Sequence, residues 1–133
     1  MTDHDKGPAW NNWSGKLSAR PKSVVQVGSV EAIRSELLAA KDGGWTVRTS
    51  GTAHSHYPLL PTNGVILDTR PLAGLVAVDS EKMTATFRAG TKIHACGRPL
   101  LDHGMGLLNQ GDIDQQSIGC LLYTSPSPRD WLQ

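Results

Sequence analysis

A strand–helix–strand pattern near the N-terminus constrains the fold of this chain more than any other feature. The β-branched run Val24–Val27 predicts a buried strand, and the alternation over Trp45–Thr49 predicts a second one. Between them, apolar residues recur at helical spacing from Val30 to Leu38. The segment is therefore predicted to be a βαβ unit.

Residues that typically begin or end a helix support these boundaries. Ser29 is placed to cap the helix, and the pair Gly43-Gly44 is placed to end it. Three further short strands are predicted at 65–68, 75–78 and 83–88, separated by Pro, Gly and Asp-Ser turns. We expect an α+β fold in which the βαβ unit is followed by a small mixed sheet.

A second helix is predicted after these strands. Thr91 stands where a capping residue is expected, and Gly104 ends the pattern. The apolar residues of the segment are predicted to share one face: Ile93, Cys96, Leu100 and Leu101. Cys96 is accordingly read as a small buried hydrophobe.

Size and charge exclude several classes of protein. The chain has 133 residues, close to the size of one domain, and its net charge of +1 provides no basic field for nucleic acid. Two cysteines do not make a disulfide framework. The polar N-terminus has no signal-peptide pattern, and no apolar run is long enough for a membrane span, so we predict a cytoplasmic protein.

Two polar loops are candidates for ligand binding. The first, residues 48–56, follows a predicted strand and is rich in small residues whose backbone N–H groups can surround a phosphate. The second, residues 110–119, is a polar stretch between buried elements. By composition alone, His54 is read as an ordinary loop histidine. The spacing of the five histidines does not favour a metal site.

The order of motifs resembles a known family. Ser50–Ser55, the strand 64–67, Val78-Asp79, the strand 84–89 and Leu101–Gly104 occur in the order found at the start of aldonolactone and alditol oxidases. These are flavin oxidases of the vanillyl-alcohol oxidase, or PCMH, type. The resemblance covers about residues 10–119. It implies the N-terminal half of a PCMH-type FAD-binding domain.

The resemblance also implies roles for individual residues. His54 matches the histidine that anchors the flavin covalently. Asp112 and Ser117 are implied to line a second cofactor loop, and Gly119 is implied to open a glycine-rich turn against the flavin. Asp112 departs from the small polar residue expected there. The other implied cofactor-binding residues lie in the first loop: Thr49, Ser50, Gly51, Thr52, Ala53, Ser55 and His56.

The function implied is oxidation of CH–OH groups in aldonolactones or alditols, with hydride passing to flavin N5 and then to an acceptor such as oxygen. The family's catalytic residues lie outside this segment, so no catalytic residue is assigned and the chain alone is expected to be inactive. From the residues alone, a stand-alone α+β module that binds a phosphorylated ligand or a protein remains an alternative.

The C-terminal residues differ in composition from the rest of the chain. They contain no glycine, although residues 1–119 contain all 14, and Cys120–Asp130 match the translation of an adapter used in transposase-based sequencing libraries. We therefore predict three parts: an N-terminal arm packed by its two indoles at 1–22, a partial FAD-binding domain at 23–119, and a non-native tail at 120–133.

Overall fold

The computed structural model describes residues 7–110 and 112–124. The chain divides into two compact units, Met1–Pro71 and Leu72–Gln133. Helices and short sheets are combined in it, so the predicted α+β class is confirmed. None of the helices in the described ranges is long and apolar enough to cross a membrane.

The first unit contains a short hairpin and a parallel sheet. Strands β1 (Trp10–Asn11) and β2 (Ser18–Ala19) pair antiparallel. Strands β3 (Ser23–Gln26), β4 (Val47–Ser50) and β5 (Val65–Asp68) form the sheet in the order β3-β5-β4. Both neighbours of β5 run parallel to it, so the two strands of the predicted βαβ unit are separated by a third.

Helix α1 (Val30–Asp42) joins β3 to β4 and begins and ends as predicted. The Ser29 hydroxyl accepts a hydrogen bond from the backbone N–H of Ala32 at 3.1 Å, and Gly43 caps the C-terminus. The core beneath the helix is aliphatic and consists of Val27, Ala40, Val65 and Leu67. Ala40 is the buried residue of α1, and Ala32 and Ile33 pack partly buried against this core. The other apolar residues of the predicted helix pattern are exposed: Val30, Leu37 and Leu38.

The central strand β5 is buried at all four residues, and a glycine precedes it. A Cβ atom built on Gly64 would lie 2.1 Å from the carbonyl oxygen of Thr46. That carbonyl accepts the N–H of Val65 at 2.8 Å and so belongs to the sheet pairing. The register of β4 against β5 therefore depends on the absence of a side chain at position 64.

The second unit is built on a two-stranded antiparallel sheet. Strands β6 (Leu75–Asp79) and β7 (Thr84–Phe87) pair, and helices α2 (Ile93–Leu101) and α3 (Ile118–Thr124) follow. Cys96, Leu100 and Met105 form the core. Parallel and antiparallel pairings thus occur in separate small sheets.

Two details of the second helix were predicted wrongly. Thr91 does not cap α2, because Lys92 is the N-cap residue and the Thr91 hydroxyl instead bonds to Gly74 and Arg88. Leu101 is 66% exposed, whereas the other three predicted face residues are buried.

In the N-terminal segment, Trp10 is buried as predicted, but Trp13 is about half exposed.

The predicted tail at 120–133 begins inside α3, which continues across Gly119 to Thr124. The remainder of that tail, residues 125–133, lies outside the described residues.

Candidate functional site

A cleft of about 310 Å³ opens in the first unit. Strands β4 and β5 both end at it, with Ser50 and Asp68, so it lies at the carboxyl edge of the parallel sheet, where such sheets commonly bind ligands. Four kinds of segment line it: the N-terminal residues Ala9–Trp13, the sheet residues Val24 and Ile66, the loop residues Ser50–Ala53, and the pair Asp68 and Arg70.

The loop that leaves β4 forms one wall of the cleft. Ser50 and Gly51 are buried, and the Ser50 carbonyl accepts hydrogen bonds from the N–H and hydroxyl of Thr69 at 2.9 and 3.2 Å. Ala53 has a φ of 54°, the left-handed region that glycine adopts most easily. The backbone just before His54 therefore has a conformation that is uncommon for a residue with a side chain.

The N-terminal segment is hydrogen-bonded to this loop on both sides of His54. The backbone N–H of Trp13 donates to the carbonyl of Ala53 at 3.2 Å, and the Asn12 side-chain amide donates to the carbonyl of Ser55 at 3.1 Å. Asn12 is 5% exposed, and its Oδ1 accepts the N–H of Leu17 at 3.1 Å. A buried amide thus links the β1–β2 hairpin to the loop.

The half-buried ring of His54 contacts an indole. It stacks on Trp13 with ring centroids 5.0 Å apart and planes 11° apart. The exposed ring of His56 meets the same indole edge-on at 5.5 Å. The Nδ1 atom of His54 is buried and has no hydrogen-bond partner among the described residues. A buried polar nitrogen without a partner is costly, and it fits a residue that meets a ligand.

Asp68 and Arg70 form a charged pair that also lines the cleft. The Arg70 guanidinium reaches both carboxylate oxygens, with Nη2 2.5 Å from Oδ2 and Nε 2.9 Å from Oδ1. Burial raises the pKa of Asp68, but hydrogen bonds from Arg70 and its positive charge outweigh burial and hold this pKa below its usual range. The carboxylate at the cleft is therefore charged at neutral pH.

The second candidate loop lies in the other unit. Ser117 is 1% exposed, and its hydroxyl is the second buried polar group without a partner among the described residues. The N–H of Gly119 donates to the carbonyl of Ala89 at 2.9 Å, and a Cβ there would approach Ala89 Cβ to 3.1 Å. Asp112 is exposed. Ser117 and Gly119 thus lie close together where α3 begins, and Asp112 lies in the loop before them.

The predicted site residues are only partly brought together. The residues Ser50, Gly51, Thr52 and Ala53 line the cleft. The other predicted residues of the first loop flank that stretch without lining it: Thr49, His54, Ser55 and His56. Nine lining residues were not among the predicted site residues, and four of these make the contacts described above: Asn12, Trp13, Asp68 and Arg70. Asn12 and Trp13 lie about forty residues before the loop, so no local pattern indicated their contact. In the described ranges, no group of three or more His, Cys, Asp or Glu side chains is placed to hold a metal ion.

Comparison with known proteins places this geometry in a family. The sequence profile described as the FAD binding domain matches residues 21–127. The chain belongs to this family of FAD-binding domains, and its fold is that of the PCMH-type flavin oxidases.

Two similar proteins are named for activity on lactones. The chain is 34% identical over 111 residues to an L-gulono-1,4-lactone dehydrogenase of Mycobacterium tuberculosis, covering 84% of this chain and 26% of the relative. It is 29% identical over 119 residues to a D-arabinono-1,4-lactone oxidase of Eremothecium gossypii, covering 86% and 22%. The chain therefore spans about a quarter of the length of these relatives.

Solved structures share the fold at low sequence identity. An alkyldihydroxyacetonephosphate synthase matches with a TM-score of 0.73 and 24% identity, over 85% of this chain and 22% of that one. A cholesterol oxidase from B. sterolicum matches with a TM-score of 0.62 and 21% identity, over 84% and 22%.

The residues of the chain fit the cofactor that the family implies. Each candidate loop carries a buried polar atom without a partner among the residues that the structure describes, Nδ1 of His54 in the first and Oγ of Ser117 in the second. Such atoms are expected where a ligand completes the hydrogen bonding. The cleft beside the first loop adds small residues and a left-handed turn that bring backbone near its surface.

Proposed function

We propose that this chain is the cofactor-binding part of a longer FAD-dependent oxidoreductase that acts on CH–OH groups of aldonolactones or alditols. Two results support the proposal: the FAD-binding family match over residues 21–127, and relatives named as lactone oxidases and dehydrogenases. Bound FAD supplies a hydride acceptor from which electrons pass to oxygen or another acceptor. The substrate is accordingly a small polyol or sugar lactone.

The loop at the carboxyl edge of the parallel sheet carries this proposal. In it, the backbone of Ser50–Ala53 holds the cofactor pyrophosphate, because the loop is built of small residues and lines the cleft. Thr49, Ser55 and His56 support this loop from its flanks. In the second unit, the Ser117 hydroxyl and the backbone around Gly119 contact the cofactor, and Asp112 lies in the same loop.

His54 is the proposed point of covalent attachment to the flavin. Its Nδ1 is buried and has no partner among the described residues, so no protein hydrogen bond has to be broken there before a ligand is bound. Attachment through an imidazole nitrogen withdraws electron density from the cofactor and raises its reduction potential.

No residue of this chain is assigned to proton transfer or substrate binding. The chain by itself is therefore expected to show no turnover of lactones or alditols, and its role is to hold the cofactor. Proton transfer and substrate selection belong to the remainder of the longer protein.

The test is made in the longer protein encoded by the complete reading frame. Flavin fluorescence should remain with the wild-type band on a denaturing gel, disappear in His54→Ala, and remain in His103→Ala. His103 is an exposed histidine outside both loops and serves as the matched control. Persistent fluorescence in His54→Ala would show that His54 is not the anchor. A wild-type protein that binds no flavin, or that oxidises neither lactones nor alditols, would refute the function.

A further inference from the structure

The N-terminal indole of Trp13 is the side chain that contacts both histidines of the first loop. It is stacked on His54 at 5.0 Å and meets His56 edge-on at 5.5 Å. Stacked and edge-on arrangements are favourable only within a narrow range of ring orientations. A ring that lies parallel to the indole within 11° is therefore restricted in its plane.

Burial does not explain why Trp13 lies there. Its surface is 53% exposed, so much of the apolar gain of an indole is not realised. Backbone and amide hydrogen bonds hold it instead: Trp13 N–H to the Ala53 carbonyl and Asn12 Nδ2 to the Ser55 carbonyl. These bonds fix the residues on either side of His54, and the indole then meets the imidazole face.

No hydrogen bond at the buried nitrogen of His54 orients the imidazole ring among the described residues. Histidine rings in binding sites are usually oriented by a hydrogen bond to the second ring nitrogen. The buried Nδ1 of His54 has no such partner in the part of the chain that the structure describes. The stacking on Trp13 is a ring contact that can take this orienting role.

We propose that Trp13 is a positioning residue, which holds the ring plane of His54 so that its nitrogen is presented to the cofactor. The proposal rests on the proposed function, because it assigns Trp13 a role in flavin attachment. Trp13 acts through His54 and through the loop. It does so from a segment that precedes the matched part of the family profile, which begins at residue 21.

One experiment tests the ring contact in the 133-residue chain without any flavin. Diethyl pyrocarbonate labels accessible histidines, and peptide mass spectrometry gives the rate at each position. His54 should label more slowly than the exposed His103. In Trp13→Leu, the His54 rate relative to His103 should rise roughly two- to tenfold, the range expected for one lost ring stacking. Trp13→Phe should restore the slow rate.

Trp45→Leu is the matched control, because Trp45 is 39% exposed in the same unit and its ring faces the Lys22 ammonium at 4.7 Å instead of a histidine. It should leave the His54 rate unchanged. Equal labelling of His54 and His103 in the wild type, or an unchanged rate in Trp13→Leu, would overturn the proposal.

A second experiment measures flavin attachment in the longer protein. Trp13→Leu should reduce the rate of covalent flavin incorporation roughly two- to tenfold, whereas Trp13→Phe and Trp45→Leu should incorporate flavin at the wild-type rate. Normal incorporation in Trp13→Leu, with His54→Ala inactive in attachment, would overturn the role of Trp13 alone. Failure of the wild type to incorporate flavin would overturn the proposed function, and the labelling experiment would still decide whether Trp13 orders the ring.

Discussion

Arg70 holds the buried carboxylate of Asp68 through both of its oxygens, at 2.5 Å from Nη2 to Oδ2 and 2.9 Å from Nε to Oδ1. The side chain of Asp68 is 6% exposed and that of Arg70 is 54% exposed, so loss of the guanidinium would leave a buried charge without its main partner. The pair joins the end of the central strand to the cleft wall.

Arg70→Gln should lower the free energy of unfolding at neutral pH by about 1.5–3 kcal/mol, the range for a hydrogen bond to a charged group. The pKa of Asp68 is lower in the folded chain than in the unfolded one, so its stabilising effect is fully present above the unfolded pKa and is lost as pH falls through the folded pKa. The difference between variant and wild type should shrink at acid pH. Urea unfolding at a series of pH values measures it.

Arg48→Gln is the control for this experiment. It removes the same charge from an exposed position of the same sheet and should change the free energy by less than about 0.5 kcal/mol. An equal effect of both variants, or an Arg70→Gln effect independent of pH down to the unfolded limit, would contradict the assignment.

Gly64→Ala should destabilise the chain by about 1–3 kcal/mol, because the new Cβ would meet the Thr46 carbonyl at 2.1 Å. The neighbour is backbone within the sheet and has no rotamer into which it can move. Gly28→Ala is the matched control in the same unit, since its Cβ would make only ordinary contacts at 3.6 Å. Thermal unfolding of both variants measures the difference in stability. An equally small destabilisation by Gly64→Ala and Gly28→Ala would show that β4 and β5 can shift in register.

Ser117→Ala should raise the stability of the flavin-free chain by about 1 kcal/mol, because it removes a buried hydroxyl that has no partner among the described residues. Thr91→Val is the opposite case in the same unit. The Thr91 hydroxyl accepts from Gly74 N–H at 2.9 Å and donates to the Arg88 carbonyl at 2.6 Å, so its loss should destabilise by about 1–3 kcal/mol. Urea unfolding of the two variants should give shifts of opposite sign, and shifts of the same sign would argue against this view of Ser117.

The origin of the C-terminal residues is open to a direct test. If Cys120–Asp130 is translated adapter, then resequencing of the source DNA across the codon for Gly119 should show a different continuation of the frame. An uninterrupted genomic read that encodes Cys120–Gln133 would contradict the prediction.

Sequence patterning was sufficient for the local elements. The Ser29 cap, the Gly43 end of α1 and the strand Val65–Asp68 were all predicted, because capping and hydrophobic spacing act over a few residues. The error at Thr91 has the same origin. Its hydroxyl accepts a hydrogen bond from Gly74, seventeen residues earlier in the chain. The residues next to Thr91 in the sequence do not indicate so distant a partner, so the capping role was predicted instead.

The first candidate loop shows a similar division. Its small residues were recognisable in the sequence, and the roles assigned to His54 and its neighbours came from family resemblance and remain predictions. The contact of Asn12 and Trp13 with that loop was not foreseen, because hydrogen bonds across about forty residues depend on how the hairpin and the sheet come together.

The sequence alone thus determined the α+β class, helices α1 and α2, strands β3 to β7 and the loop that carries the candidate site, since each depends on neighbours along the chain. Strands β1 and β2 and helix α3 were not predicted. Tertiary structure decided that β5 lies between β3 and β4, that Asp68 and Arg70 border the cleft and that Trp13 stacks on His54. Those arrangements follow from the burial of one sheet and the pairing of its strands. Contacts between residues far apart in the chain produce no periodic pattern in the sequence, so the sequence does not predict them.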